Sequence, residues 1–254
     1  MLPVTIRSNP DARLSRPAQV AEAIKDWVVS EGLRAGDRLP GETELIARFG
    51  MAKGTIREAM RILEAQGLIK TRTGPGGGSF VHEVSRERAK ALLGNYFYFK
   101  DLTIDDIYRM RVILEPEMVA DLAGKLSEDT LAMLEANTTA YETPAQSPDE
   151  EREQHIASLR FHAILAEQVD NPLLSFILGF MVKLLSDLTV YRRLYAPHND
   201  ELRARGTDYQ KRLIVALREG DAGAARAIMK GHMDTAWSLM RGQEAEMARR
   251  FISE

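Results

Sequence analysis

Three cations stand at helical spacing between Gly50 and Ile69. Lys53, Arg57 and Arg61 are four residues apart, so a helix places them along one side. Another face of the same helix collects the apolar side chains of Ile56, Ala59, Met60 and Leu63. One face is therefore suited to a core, and the other is suited to a polyanion.

The start of this helix has small side chains. Gly54 and Thr55 would let the free N–H groups of the first turn approach a phosphate closely. Arg57, one turn further on, could then reach a guanine edge through paired hydrogen bonds. The pattern indicates a DNA-binding helix, and a solvated cationic face is the alternative that these residues alone leave open.

Two further helices and a hairpin must position that helix. Periodicity predicts a first helix from Pro17, a short second helix from Glu42 to Phe49 and a third from about Lys53 to Gln66. The segments LIKTRT and SFVHEV around GPGGG predict two strands and a glycine-rich turn. Together these elements describe a winged helix-turn-helix over residues 1–82, whose third helix enters the major groove of DNA.

The stretch RLPGETELIARFGMAKGTIREAMRILEAQGLIKTRTGPGGGSFV resembles the GntR family of bacterial transcription regulators. The shared features are the leucine-proline pair, the acidic short helix, the Val-Arg-Glu-Ala-like recognition helix and LE..GL before the wing. The resemblance covers about residues 16–82. It implies base or phosphate contacts from Lys53, Thr55 and Arg57, and wing contacts around Thr73 and Gly74. The DNA-binding residues expected from the sequence are these five together with Gly54 and Arg61 on the third helix, Thr43 on the second, and the basic neighbours Arg38 and Arg72.

Two residues depart from the family pattern. Thr43 stands where the family often has an arginine, so one contact is expected to be missing or replaced. Ala52 stands where a serine or threonine usually caps the third helix, and the loss of such a cap costs about 1 kcal/mol. The operator sequence or the affinity is therefore expected to differ from the family norm.

Helical periodicity continues from Ser85 to the end of the chain. Thr103 with Asp106 predicts a capping box, and Ser127 predicts a second helix cap. The pattern predicts a bundle of six or seven helices over residues 83–254. The fold class is thus mostly α, with an N-terminal winged helix-turn-helix and a C-terminal all-α bundle.

The stretches YRMRVILEPEMVADLA, SLRFHAILAEQVDNPLL and LREGDAGAARAIMKGHM resemble the FCD domain, the ligand-sensing module of the FadR-like branch of this family. Many such domains hold a divalent metal with one Asp and three His, and bind a small carboxylate beside it. His162 and His232 match two of those ligands, whereas Ser158 and Gln210 replace the other two. The resemblance implies an effector site formed by Arg111, Ser158, His162, Gln210 and His232.

The replaced residues weaken the case for a metal cofactor. A serine hydroxyl and an amide oxygen are weak neutral ligands beside imidazole. We therefore expect, at most, a weakly bound Zn, Ni or Mn ion on His162 and His232. A polar cavity without metal, or two histidines satisfied by hydrogen bonds, are the alternatives. His155 could substitute as a ligand, although a surface position is expected for it.

Arg111 falls where the family has an arginine that faces the ligand pocket, and its guanidinium could hold a carboxylate through a forked hydrogen bond. A salt bridge with Glu115, one helical turn on, is the alternative. Tyr191, Arg192 and Arg193 could line the same cavity or belong to an interface.

The composition excludes several classes of site. The 254 residues contain no cysteine, which excludes disulfides, thiolate zinc sites and a cysteine nucleophile. Residues 1–82 hold 12 Lys/Arg and 9 Asp/Glu, whereas the whole chain has a net charge of −3. GPGGG is followed by a strand rather than by Lys-Ser/Thr and a helix, so it is not a phosphate-binding loop of the P-loop type.

The chain shows no export signal at its N-terminus. The apolar run from Pro172 to Val182 ends at Lys183, short of the roughly 20 residues that span a bilayer. We therefore expect a cytoplasmic protein without a membrane partner.

These features predict a ligand-responsive, sequence-specific transcription regulator, acting as a repressor. It is expected to bind a pseudo-palindromic double-stranded operator as a homodimer and to respond to a small carboxylate metabolite. An architectural DNA binder whose helical domain only dimerises is the second hypothesis. An enzyme with a DNA-binding head is the third, and no nucleophile with an adjacent base supports it, so no catalytic residue is assigned.

Overall fold

The computed structural model describes residues 14–100, 102–191 and 199–253. Its N-terminal part contains three helices and a two-stranded antiparallel sheet, namely α1 (Arg16–Ser30), α2 (Glu42–Phe49), α3 (Lys53–Gln66), β1 (Ile69–Arg72) and β2 (Gly78–Val81). The predicted winged helix-turn-helix is confirmed.

Local sequence explains where these helices begin and end. Pro17 lies in the first turn of α1. Backbone N–H groups there have no partner within the helix, so the missing N–H of proline costs no hydrogen bond. Gly50 and Gly67 end α2 and α3 in the left-handed conformation, with φ angles of 63° and 80°. Ala52 precedes α3 and makes no side-chain capping bond, because its methyl group has no hydrogen-bond acceptor.

One apolar core holds the N-terminal elements together. Buried side chains from α1, α2, α3 and β1 contribute to it, including Val20, Ile24, Trp27, Leu45, Phe49, Ile56, Leu63 and Ile69. In the hairpin, Ile69 pairs with Val81 and Arg72 pairs with Gly78. A further β-bridge joins Arg38 to Phe80, so the loop before α2 pairs with the β1–β2 hairpin, which is the wing.

Seven helices follow within the described residues, namely α4 (Arg86–Tyr98), α5 (Ile104–Leu122), α6 (Glu128–Thr139), α7 (Pro148–Glu167), α8 (Pro172–Tyr191), α9 (Asp200–Glu219) and α10 (Ala222–Ser253). The chain divides into two compact units between Ala89 and Lys90, inside α4. The boundary expected from the sequence lies after His82, where the wing ends.

Polar caps set the starts of the bundle helices. The Thr103 hydroxyl accepts the Asp106 N–H at 3.1 Å, and Asp106 accepts the Thr103 N–H at 3.0 Å, which completes the predicted capping box. Ser127 caps α6 as predicted. The seventh helix begins at Pro148, where Ser147 caps it by accepting the N–H of Glu150 at 3.2 Å.

The apolar helix α8 contributes to the core of the bundle through Leu178, Met181 and Leu185. The stretch Pro172–Val190 has a mean hydropathy of 1.8 and is long and apolar enough to cross a membrane by length and composition alone. The expectation that this run is too short is therefore wrong, since Lys183 does not end the helix. A core helix of a bundle meets the same criteria, and the buried side chains of α8 fit that role.

Candidate functional sites

The cationic face of α3 points outward. The side chains of Lys53, Arg57 and Arg61 are 60%, 59% and 77% exposed. Ile56 and Leu63, on the other side of the helix, are buried. The apolar face therefore serves the core and leaves the cations available, which is the division of faces expected from the spacing.

An acidic residue of α2, Glu42, pairs with two of these cations. The Arg57 Nε donates to Glu42 Oε2 at 2.6 Å, and the Lys53 Nζ lies 3.2 Å from Glu42 Oε1. The hydrogen bond from Arg57, with help from Lys53, lowers the pKa of Glu42. Arg61 instead pairs with Glu58 on its own helix at 3.3 Å. Sequence reasoning missed Glu42 because this contact joins two helices.

The wing and the loop before α2 bring further predicted residues to the same side of the unit. The Arg38 Nη2 donates to the Gly77 carbonyl at 2.6 Å, and the Arg72 guanidinium lies 4.7 Å from the Phe80 ring centroid. A groove of about 370 Å³ is lined by residues that include Arg38, Arg57 and Arg61. Thr43, Gly54, Thr73 and Gly74 are exposed, and Thr55 is half-buried.

The second unit contains a polar cavity, named here the bundle cavity. Its volume is about 40 Å³, and its lining includes Arg111, Gln154, Ser158, His162 and His232. One water needs about 10–15 Å³ of such space, so the cavity has room for about three waters. Four of the five residues expected at the effector site therefore line one cavity.

Gln210, the fifth residue expected at the effector site, is not part of the cavity lining. It is fully buried, and its amide oxygen accepts hydrogen bonds from the Tyr141 hydroxyl and, at 3.3 Å, from Thr138. Its amide nitrogen faces the Ser158 carbonyl at 3.5 Å. Gln210 thus fixes Tyr141, a cavity residue in the connection after α6 that the sequence did not single out.

A chain of buried polar groups leads from Arg111 to His232. The Arg111 Nε donates to Glu115 Oε1 at 2.5 Å, and Glu115 Oε2 lies 2.5 Å from His162 Nδ1. His162 Nε2 lies 3.3 Å from His232 Nε2, and the two rings are stacked. The expected pair of Arg111 with Glu115 is formed, yet Arg111 also lines the cavity, so the two roles coexist.

Burial and neighbouring charges set the protonation states of these buried side chains. Burial by itself raises the pKa of Glu115, but Arg111 and His162 outweigh it and hold that pKa well below its ordinary value. Burial lowers the pKa of His162 and, further, that of His232. With Glu115 ionised and both rings neutral, His162 Nδ1 donates to Glu115, and His162 Nε2 accepts from His232.

His155 lies on α7 beside this cavity. It is half-buried and lines the bundle cavity, so the expected surface position is wrong. Burial lowers its pKa to about 4. Arg192 and Arg193 lie outside the described residues, as does the side chain of Tyr191.

The donor set does not fit a tightly held metal. His162 and His232 point their Nε2 atoms toward each other, but the Gln210 oxygen is engaged by Tyr141. Within residues 14–100, 102–191 and 199–253, no group of three His, Cys, Asp or Glu side chains could hold a metal ion. Two imidazoles beside a serine hydroxyl are fewer charged or soft ligands than zinc proteins use.

Comparison with known proteins places these sites in a family. The model for the FCD domain matches residues 106–235, and the model for bacterial regulatory proteins of the gntR family matches residues 17–81. The HTH-type transcriptional repressors NanR of Salmonella arizonae and Salmonella typhimurium are each 26% identical over 243 residues, which cover 91% of this chain and 86% of theirs. The structure of Streptococcus agalactiae GntR covers 89% of this chain and 99% of its own at 21% identity, with a TM-score of 0.61, and has the same fold.

The fold and the two sites define a two-domain transcription regulator, with a DNA-binding helix-turn-helix and a ligand-binding domain. The chain belongs to the gntR family of bacterial regulatory proteins, and its second unit is an FCD domain. It is a regulator and not an enzyme, as expected from the sequence.

Replacement of Glu115 by Gln tests the buried ion pair. We expect the free energy of unfolding near pH 7 to fall by about 3–5 kcal/mol, because the change leaves Arg111 buried without its counter-charge. The pKa of Glu115 is lower in the folded than in the unfolded state. The stabilisation that Glu115 gives the folded state is therefore present above the ordinary pKa of about 4.3 and is lost progressively as the pH falls below that value. Urea unfolding should therefore show a smaller difference between variant and wild type at about pH 3.5.

The control for that measurement is Asp121→Asn. It removes an exposed pair with Lys125, and such pairs contribute less than about 1 kcal/mol. Equal losses in the two variants would contradict the role assigned to Glu115.

Metal loading tests the donor set directly. Protein incubated with Zn²⁺ or Ni²⁺ and then desalted should carry less than one metal ion per chain by elemental analysis, because the described residues contain no group of three His, Cys, Asp or Glu side chains that could hold the ion. A full equivalent of metal that disappears in His162→Ala would show that other residues complete the site.

Proposed function

We propose that the protein is a ligand-responsive repressor that binds a pseudo-palindromic operator as a homodimer. The observation that carries this proposal is the exposed row of Lys53, Arg57 and Arg61 on α3, opposite a buried apolar face. A helix of this kind enters the major groove, where arginine makes paired hydrogen bonds to guanine. Repression is proposed from the similarity to the NanR repressors.

The positions of these residues suggest which part of the DNA each of them contacts. Arg57 and Arg61 are proposed to reach base edges or phosphates, with Lys53, Gly54 and Thr55 beside the backbone at the amino end of α3. Arg38, Thr43, Arg72, Thr73 and Gly74 are proposed to complete the contact from the wing side. Residues 1–82 then serve DNA binding, and residues 83–254 serve effector binding and dimerisation. DNA binding implies a cytoplasmic location.

A small carboxylate is the proposed effector. Arg111 is 1% exposed and lines the bundle cavity, and among the described residues its Nη2 has no hydrogen-bond partner. A carboxylate oxygen would satisfy that N–H through a charge-assisted hydrogen bond. A bound effector changes operator affinity only by its differential affinity for the DNA-competent arrangement of the dimer and the other arrangement.

Substitution of Arg57 tests the DNA-binding helix. Against a duplex selected from a random pool by the wild-type protein, Arg57→Ala should weaken binding by about 1–3 kcal/mol, since it removes a base contact. Glu42→Gln should raise affinity for unrelated duplexes and lower the specificity ratio, because it releases charge on Lys53 and Arg57. Both are measured by fluorescence anisotropy.

Arg109→Ala is the matched control for that titration. Arg109 is an exposed arginine of α5 that pairs with Asp105, and its loss should leave affinity unchanged. Wild-type affinity in Arg57→Ala would refute the assignment of α3 as the recognition helix.

A ligand screen tests the regulatory half of the proposal. A carboxylate present at about 100 times its Kd should stabilise the folded protein by about 2.7 kcal/mol, and the same compound should change operator affinity. Thermal shift and anisotropy measure the two effects. If no carboxylate stabilises the protein, the alternative in which the helical domain only dimerises is favoured. If carboxylates stabilise the protein and leave DNA binding unchanged, they are not effectors of operator binding.

A further inference from the structure

Arg38 lies on an extended segment that runs beside the wing. The Leu39 N–H donates to the Ser79 carbonyl at 2.8 Å, and a β-bridge joins Arg38 to Phe80. The segment is thereby paired with β2, antiparallel to it. Residues that lie opposite each other in such a pair project from the same face of the sheet, so the Arg38 side chain extends from the face that also carries Phe80.

The guanidinium of Arg38 contacts the end of the wing turn. Its Nη2 donates to the Gly77 carbonyl at 2.6 Å. Gly78, the next residue, makes room for this contact, because a Cβ at Gly78 would lie 2.9 Å from Arg38 Nε and 3.2 Å from its Nη2. A larger residue at this position would displace the guanidinium. The sequence predicts Arg38 as a DNA contact, whereas the contact that its side chain makes in the structure is with the wing.

The turn that Arg38 contacts, residues 73–77, is named here the wing tip and is rich in glycine. Gly74 and Gly76 have φ angles of 91° and 76°. Glycine loses more conformational freedom on ordering than any other residue. Within the wing tip, the Gly77 N–H donates to the Gly74 carbonyl at 2.8 Å. The hydrogen bond from Arg38 to the same Gly77 therefore adds a restraint from outside the turn.

The base of the wing is fixed to α3 by another contact. The Thr71 N–H, on β1, donates to Glu64 Oε1 in the last turn of α3 at 2.9 Å. The hairpin is thus held to α3 at its base and to Arg38 at its tip. The wing tip consequently has a defined position relative to the cationic face of α3.

We infer that Arg38 is a positioning residue for DNA binding, which holds the wing tip in the conformation that meets the duplex and does not itself touch DNA. This inference rests on the proposed operator binding and assigns Arg38 its part in the contact from the wing side. A tip that is held in one conformation before DNA arrives loses less conformational entropy on binding.

Backbone relaxation of the full-length protein tests the restraint without DNA. In Arg38→Met, the amide order parameters of Gly76 and Gly77 should fall from the rigid range of about 0.85 to below about 0.6, since the outside hydrogen bond is lost. Those of β1 and β2 should stay unchanged, because backbone pairing holds the two strands. Unchanged order parameters at both glycines would overturn the inference.

An operator titration tests whether Arg38 acts through the wing. Against the duplex selected by the wild-type protein, Arg38→Met should weaken binding about tenfold, the effect expected from the loss of one charge-assisted hydrogen bond. The substitution is repeated in a variant in which Asn-Gly replaces residues 73–77, since such a two-residue turn can join the paired Arg72 and Gly78. There Arg38→Met should change affinity by less than about twofold, because no wing tip remains to be positioned.

The matched control is Arg109→Met, which removes an exposed guanidinium from α5 and should change neither the order parameters nor the affinity. Equal losses from Arg38→Met with and without the wing tip would show that Arg38 contacts DNA itself, and would overturn the inference. Wild-type affinity in the variant without the tip would also overturn it, because the tip would then make no contact. If the wild-type protein selects no duplex, the proposed function is itself refuted, and the order parameters still decide whether Arg38 holds the tip.

Discussion

Ile56, Ala59 and Leu63 are buried on one side of α3, and their burial decides which way the opposite side of that helix points. Because helical periodicity separates the two faces, the same packing that encloses the apolar side chains leaves Lys53 and Arg57 outside. The cations need no buried partner, and Glu42 holds them at the surface through exposed hydrogen bonds. The exposed cationic face of α3 is thus a consequence of the N-terminal core, and a change in that core would move the face with it.

In the second unit, by contrast, an ion pair is buried. Arg111 and Glu115 are almost fully buried, where an ion is stable only if its hydrogen bonds and counter-charge are supplied by the protein. Glu115 supplies both to Arg111 and also fixes the orientation of His162. Among the described residues the Arg111 Nη2 has no hydrogen-bond partner, so the pair holds the guanidinium in place without using all of its hydrogen-bonding capacity.

Local patterns in the sequence predicted the elements well, and tertiary contacts explain what they did not predict. The faces of α3 and the capping box at Thr103 depend on residues within a few positions, so the sequence contains them directly. Glu42 meets Arg57 across 15 positions, and Gln210 meets Tyr141 across 69, and neither contact has a periodic signal. Position in the family motif placed Gln210 at the effector site, but it could not show that Tyr141 already takes its amide oxygen.

The account depends most on the contact between the amino half of α3 and the major groove. It is tested most directly by a double-mutant cycle between the protein and its operator, in which each guanine of a half-site is replaced in turn by 7-deazaguanine, which lacks the N7 acceptor. At one guanine, the replacement should weaken wild-type binding about tenfold and leave Arg57→Ala unaffected, since the variant has no guanidinium and therefore no hydrogen bond to N7 to lose. Losses that simply add at every guanine would contradict the account.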